Sequence, residues 1–144
     1  MPLVVLEGAV PPDWADAGGR MRAAAACLAF AEASELALER LGLGVAYRAA
    51  TGCLAEPAEA RYRYRAALAR GDAYRVLAWL DGADARRLAL SHRMVSAGGR
   101  LAAEAEILLR HTERGGDRAL PFPPEIRARL TRLAPSQAIR SFAA

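Results

Sequence analysis

Along this chain the spacing of apolar and polar residues changes once, near residue 53, from helical to alternating. Before that point, Leu3 to Val10 (LVVLEGAV) predicts a first strand that Pro11-Pro12 ends. The stretch from Asp13 to Leu43 then supplies roughly 20 residues with no helix breaker and little polarity, a helix about 30 Å long at ~1.5 Å per residue. Such a helix, apolar on nearly all sides, predicts burial. Its one polar stripe is Glu32, Glu35 and Glu39, and Gly42 and Gly44 supply the stop. Val45 to Thr51 predicts a short helical turn closed by Gly52.

After Cys53 the period is two. Ala60 to Leu68 (ARYRYRAAL) puts Tyr62 and Tyr64 on one face and Arg61, Arg63 and Arg65 on the other. Ala73–Leu80, Arg86–Val95 and Leu101–Thr112 predict three more strands. Turns are expected at Arg70-Gly71-Asp72, at Asp81-Gly82 extended by Ala83-Asp84, and at Gly98-Gly99. Propensity alone would allow a helix over Leu101–Thr112; its place in a meander decides for strand. PFPP at Pro121–Pro124 is rigid and extended, Glu125–Leu133 is a short amphipathic helix, and a tail follows from Pro135. At ~3.3 Å per residue the strands run roughly 30 to 40 Å, which matches the helix. The expected fold is α+β: one long buried helix wrapped by a curved five-stranded antiparallel sheet, plus a short C-terminal helix. Residues 1–134 form one domain and 135–144 a tail.

Composition narrows the partners. The chain has 144 residues and a net charge of +4, and its 20 basic residues are all Arg. Acidic residues are interspersed throughout, so no basic block of nucleic-acid type exists. No apolar run has membrane-spanning length and flanks, and MPLVVLEG lacks the positive start of a signal peptide. Two cysteines, Cys27 and Cys53, are too few for a disulfide framework, and Cys27 reads as a buried thiol. A cytoplasmic protein is expected. His92 and His111 have no metal-ligand spacing and read as structural. Ser34, Ser91 and Ser96 lie in no G-x-S-x-G setting, and Gly18-Gly19 is no phosphate-cradling loop. Tyr62, Tyr64 and Trp79 read as sheet packing.

The stretch ahead of the long helix reads Trp14-Ala15-Asp16-Ala17-Gly18-Gly19-Arg20-Met21-Arg22. It resembles W-x-D-Y-N-G-H-M-N, the signature of hotdog-fold acyl-CoA thioesterases of the 4-hydroxybenzoyl-CoA thioesterase group. Trp14, Asp16, Gly19 and Met21 stand in register. Ala17, Gly18, Arg20 and Arg22 depart from the signature's Tyr, Asn, His and Asn. Further matches run through Leu38–Leu43, Tyr47-Arg48, Thr51-Gly52, Ala60–Tyr62, Asp84–Leu88, Ser91–Met94 and Pro121–Ile126. Within the group the chain is most similar to the short thioesterases of carnitine and betaine breakdown.

The resemblance implies hydrolysis of a short or polar acyl-CoA to free acid and CoA, with no metal and no cofactor, in a homodimer or homotetramer. It makes Asp16 the nucleophile or general base and the backbone N–H of Ala23 the oxyanion donor. Trp14, Gly19, Arg20 and Arg22 become substrate-binding candidates. A placed general base contributes about 3 to 5 kcal/mol and one oxyanion donor about 3 to 4. Together they reach the lower end of enzymatic acceleration, ~8 kcal/mol. Without the family register, Asp16 reads as a cap of the helix region. Asp13, Glu32 and Glu35 are the other carboxylates open to a role. The altered signature supports a second hypothesis: an inactive hotdog protein that binds an acyl or aromatic ligand or pairs with an active paralogue.

Overall fold

In a computed structural model the chain is described over residues 1–136, together with Ile139 and Phe142. Much of the expected tail, 135–144, therefore lies outside the described residues. Five strands, β1 (Val4–Ala9), β2 (Cys53–Tyr64), β3 (Ala73–Ala83), β4 (Arg87–Ser96) and β5 (Leu101–Glu113), form one antiparallel sheet. Three helices accompany it: α1 (Ala23–Arg40), α2 (Val45–Thr51) and α3 (Pro124–Leu133).

The sheet order is β1-β3-β4-β5-β2. The meander expected after α1 therefore holds only for β3, β4 and β5; β2 crosses to the far edge and pairs with β5. β2 also begins at Cys53 and ends at Tyr64, not at Leu68. Its register shifts between Pro57 and Glu59. That irregularity interrupts the alternation, and a proline is tolerated because the strand is an edge. The next turn differs too: β3 runs on through Asp81-Gly82 with a register shift there, and Asp84 makes the turn. Its Oδ1 accepts from the amides of Arg86 and Arg87 at 2.9 and 2.8 Å.

Alternation explains what each sheet face does. Tyr74, Val76, Ala78, Leu88, Leu90, Met94, Ile107 and Leu109 are buried in the core cluster that includes Ala26, Ala29, Phe30, Ala33, Ala37 and Leu38 of α1. The opposite face carries cross-strand charges, with Arg63 and Arg93 both opposite Glu104 and Arg61 opposite Glu106. The arginines of RYRYR thus belong to a charged ladder.

α1 has good helix formers throughout and ends in a Schellman motif. Gly42, at φ +82°, donates its amide to Glu39 O at 3.2 Å, and Leu43 donates to Leu38 O at 2.9 Å. Glu35 and Glu39 of the polar stripe then hold α2. Glu35 forms a bidentate pair with Arg48 (2.8 and 3.2 Å), and Glu39 accepts the Val45 amide at 3.1 Å. The sheet covers one side of α1 only. On the other, Leu28 is 59% and Leu36 42% exposed in the single chain.

Candidate active site

The loop between β1 and α1 is itself a small hairpin. Ala15 bridges to Met21, the Asp16 amide donates to Arg20 O at 2.8 Å, and the Gly19 amide donates to Asp16 O at 2.9 Å. This is a three-residue turn closed by a residue in the left-handed region, Gly19 at φ +81°. Asp16 Oδ1 completes it by accepting from the amides of Gly18 (2.9 Å) and Arg20 (3.1 Å). The structural task of Asp16 is thus to cap the hairpin, not the helix. Its Oδ2 has no hydrogen-bond partner among the described residues, and the residue is exposed.

The hairpin is pinned to the body on both sides. Met21 N donates to Leu68 O at 2.7 Å, Arg70 N to Gly19 O at 2.8 Å, and Arg22 N to Trp14 O at 2.9 Å. Trp14 stacks on Tyr74 with centroids 6.2 Å apart. Trp14 therefore anchors the hairpin from behind, against the first face of the sheet.

Arg22 is the N-cap of α1, and no side chain caps the helix. The first amides of a helix have no intrahelical partner, so the start of α1 presents unspent donors and the positive end of the dipole. Beside this first turn lies an open cleft of about 260 Å³. It is lined by Arg20, Met21 and Ala23 from the hairpin and the start of α1, by Tyr64 and Arg65 from the end of β2 onward, and by alanines including Ala66 and Ala103. Arg65 is committed to Glu104, at 2.8 and 3.1 Å. No carboxylate partner of the Arg20 guanidinium occurs among the described residues.

Of the sequence-predicted residues, the cleft therefore brings together Arg20 and Ala23. Asp16 stands one hairpin width away, opposite Arg20. Gly19 shapes the turn, Trp14 faces the sheet, and Arg22 is exposed at the cap. Asp13 lies in a one-turn 3-10 helix, Pro12–Trp14, and is exposed. Glu32 and Glu35 lie further along α1, away from the cleft lining.

Tyr64 is the residue that sequence reasoning assigned to packing and the structure puts at the cleft. Its hydroxyl lies 3.6 Å from Cys27 Sγ. The hydrogen bond to Cys27, followed by burial, pushes the phenol up to about 12. Tyr64 is thus a neutral donor at any physiological pH. Cys27 is half-buried, not sealed in the core. The period-two pattern had placed Tyr62 and Tyr64 on one face; that this face meets the start of α1 follows only from the position of β2 at the sheet edge. Among the described residues, no three His, Cys, Asp or Glu side chains converge as metal ligands, and no helix is long and apolar enough to cross a membrane.

Residues 10–130 match the Thioesterase-like superfamily. The chain belongs to this superfamily. It is 31% identical over 133 residues to the betainyl-CoA thioesterase of Pseudomonas aeruginosa, covering 92% of this chain and 84% of that protein. It is 32% identical over 141 residues to the L-carnitine dehydrogenase/betainyl-CoA thioesterase of Ruegeria pomeroyi, covering 98% of this chain and 28% of that longer protein. Its fold is that of a Staphylococcus aureus protein solved in complex with CoA, at a TM-score of 0.84 and 19% identity over 96% of this chain and 88% of that one. The protein is a hotdog-fold thioester hydrolase, and the expected long helix against a five-stranded antiparallel sheet is the architecture observed, with one face of the helix buried by the sheet.

Proposed function

We propose that this thioesterase hydrolyses a short or polar acyl-CoA to the free acid and CoA, with Asp16 as nucleophile or general base. The observation that carries the reading is the pairing of two features at one end of α1. A hairpin holds a carboxylate by one oxygen and leaves the other free. The start of α1 has no side-chain cap, and its first residue, Ala23, lines the neighbouring cleft. The thioester carbonyl would lie with its oxygen toward the Ala23 amide, where a developing negative charge is stabilised. A water activated by the Asp16 carboxylate would attack the carbonyl carbon, or the carboxylate itself would attack and a water would then hydrolyse the resulting acyl anhydride. In both routes the C–S bond breaks, CoA leaves as the thiolate and the free acid is released.

The same reading includes a cytoplasmic homodimer or homotetramer. Among the described residues the cleft is open, Leu28 and Leu36 on one face of α1 are exposed, and β2 lies at an edge of the sheet with no further strand paired to it. An unpaired edge beside an exposed apolar face is a surface proteins cover. A second copy laid there would exclude water from the cleft, which strengthens every electrostatic contact inside it. Sedimentation equilibrium is expected to give a dimer or tetramer; a monomer at assay concentration would remove this part of the reading.

The deciding experiment is CoA release from a panel of acyl-CoAs, followed with a thiol reagent, for the wild type and Asp16→Asn. The variant keeps an oxygen to cap the hairpin but is no base or nucleophile. A loss of about 10²- to 10⁴-fold in kcat at unchanged melting temperature is expected. Equal turnover by the variant excludes Asp16.

A further inference from the structure

We infer that Arg20 makes this site select an acyl group ending in an anion, a carboxylate, over a neutral or cationic one; the inference rests on the thioesterase reading above. The cleft beside the Ala23 amide is lined by two cationic residues and no acidic one. Arg65 is neutralised by Glu104 on the same sheet. Among the described residues the guanidinium of Arg20, an exposed residue, has no carboxylate partner, and its backbone is held in the hairpin by Asp16 and by a bridge to Ala69. An unpaired guanidinium lining a cleft is a two-pronged donor that matches a carboxylate.

The location decides which anion. Ala23 is three residues from Arg20 and shares its cleft, and the Ala23 amide is where the thioester oxygen is placed. The phosphates of CoA lie a whole pantetheine arm away from that carbonyl, on the other side of the sulfur. Arg20 is therefore next to the acyl chain. A quaternary ammonium group, by contrast, is held by several aromatic faces. Tyr64 is the only aromatic residue lining this cleft among the described residues, and its hydroxyl is engaged with Cys27. The cleft is built for the charge opposite to that of a betainyl group. The alanines that line it leave room for a few methylene groups between the carbonyl and the carboxylate.

The test uses binding, so it does not depend on turnover. Three thioether analogues of CoA, with propyl chains ending in methyl, carboxylate or trimethylammonium, are titrated calorimetrically into the wild type, Arg20→Gln and Arg20→Lys. The carboxylate analogue is expected to bind about tenfold more tightly than the methyl one, the trimethylammonium analogue most weakly. Arg20→Gln should bring the carboxylate-to-methyl ratio close to one, and Arg20→Lys should retain part of it. Equal affinities in the wild type, or an order that survives Arg20→Gln, overturn the inference. So does a loss in Arg20→Gln that is equal for all three analogues and for free CoA, because that pattern assigns the guanidinium to a phosphate. The corresponding thioesters are then assayed for CoA release. If binding follows the expected order and none of the thioesters is cleaved, the hydrolytic reading fails and the charge preference stands.

Discussion

Two regions of the molecule use polar groups in opposite ways. Around α2 and the end of β5, several polar side chains pair with one another. His111 is buried and uses both ring nitrogens: Nδ1 donates to Leu120 O at 3.0 Å, which leaves Nε2 to accept from the Tyr47 hydroxyl at 2.7 Å. Deeper in the core, His92 Nε2 lies 2.8 Å from Ser34 Oγ, tying β4 to α1. At the start of α1 the economy is reversed. Asp16 keeps a spare oxygen, Arg20 a spare guanidinium, and the first helical turn its spare amides. Buried polar groups in native proteins are satisfied as a rule. The first region largely follows that rule and holds the fold together, although Thr112 Oγ1, Arg110 Nε and His92 Nδ1 are buried without a hydrogen-bond partner among the described residues. The second region is exposed, so its donors and acceptors are open to water or to a ligand. Neither histidine enters the proposed chemistry, as their sequence setting had implied.

The sharpest way to break this comparison is to remove one unspent donor without touching anything that is spent. Ala23 is the first residue of α1, a position where proline fits because its missing N–H had no helical partner. Arg22 before it has φ −69° and ψ 144°, the conformation that a following proline requires. Ala23→Pro should therefore fold with a melting temperature close to that of the wild type. If the amide holds the oxyanion, kcat should fall by about 10² to 10³, or roughly 3 to 4 kcal/mol. A stable Ala23→Pro enzyme with full activity would move the oxyanion hole elsewhere.

That substitution also marks where sequence reasoning ended. α1, its stop at Gly42, the α2 turn and the β3–β5 meander were legible because each rests on periodicity and local punctuation. The path of β2 was not, since Pro57 disrupts its alternation and the partner of an edge strand is chosen by contacts some 50 residues away in sequence. Of the proposed site, the candidates Asp16 and the Ala23 amide came from the signature register. The role of Asp16 as a hairpin cap did not, although Asp-Ala-Gly-Gly contains the residues such a turn uses. Tyr64 was visible as a face and not as a neighbour. The exposed side of α1 was unreadable in principle: an apolar residue that packs on the chain's own sheet and one that waits for another surface look the same in a sequence.

The spent region has its own test, in acid. Burial lowers His92 to about 4, from an ordinary 6.5. Phe30 meets its ring edge-on at 5.6 Å and Ser34 engages Nε2, so the neutral ring is the one that fits. The unfolded chain takes up this proton at a higher pH than the folded one, so stability rises with pH across the interval. The contribution is complete above the unfolded value of 6.5 and is lost as pH falls toward 4, a change of about 3 kcal/mol. Urea denaturation at a series of pH values should show this slope in the wild type. In His92→Leu the slope between these pH values should flatten, even though the unpaired Ser34 hydroxyl costs that variant about 1 to 3 kcal/mol at neutral pH. An unchanged slope would mean that other groups carry the acid response.

A smaller change in stability than at His92 is expected at Gly19, and it sharpens the comparison most finely. A Cβ at this position would meet no heavy atom within 4 Å, so the only penalty of Gly19→Ala is the left-handed backbone at φ +81°. That penalty is about 1 kcal/mol, and Asn, which tolerates this region, should incur less. Stability measured by denaturation should thus fall slightly in Gly19→Ala and less in Gly19→Asn. Activity need not follow in proportion. The Gly19 amide closes the turn onto Asp16 O, and relaxing that turn displaces the carboxylate and Arg20 together. If the hairpin exists to aim them, kcat/KM for the preferred acyl-CoA falls by more than the lost stability can account for, and Gly19→Asn recovers part of it. If activity in both variants simply tracks the folded fraction, the hairpin is scaffolding, and the unspent oxygen of Asp16 needs another explanation.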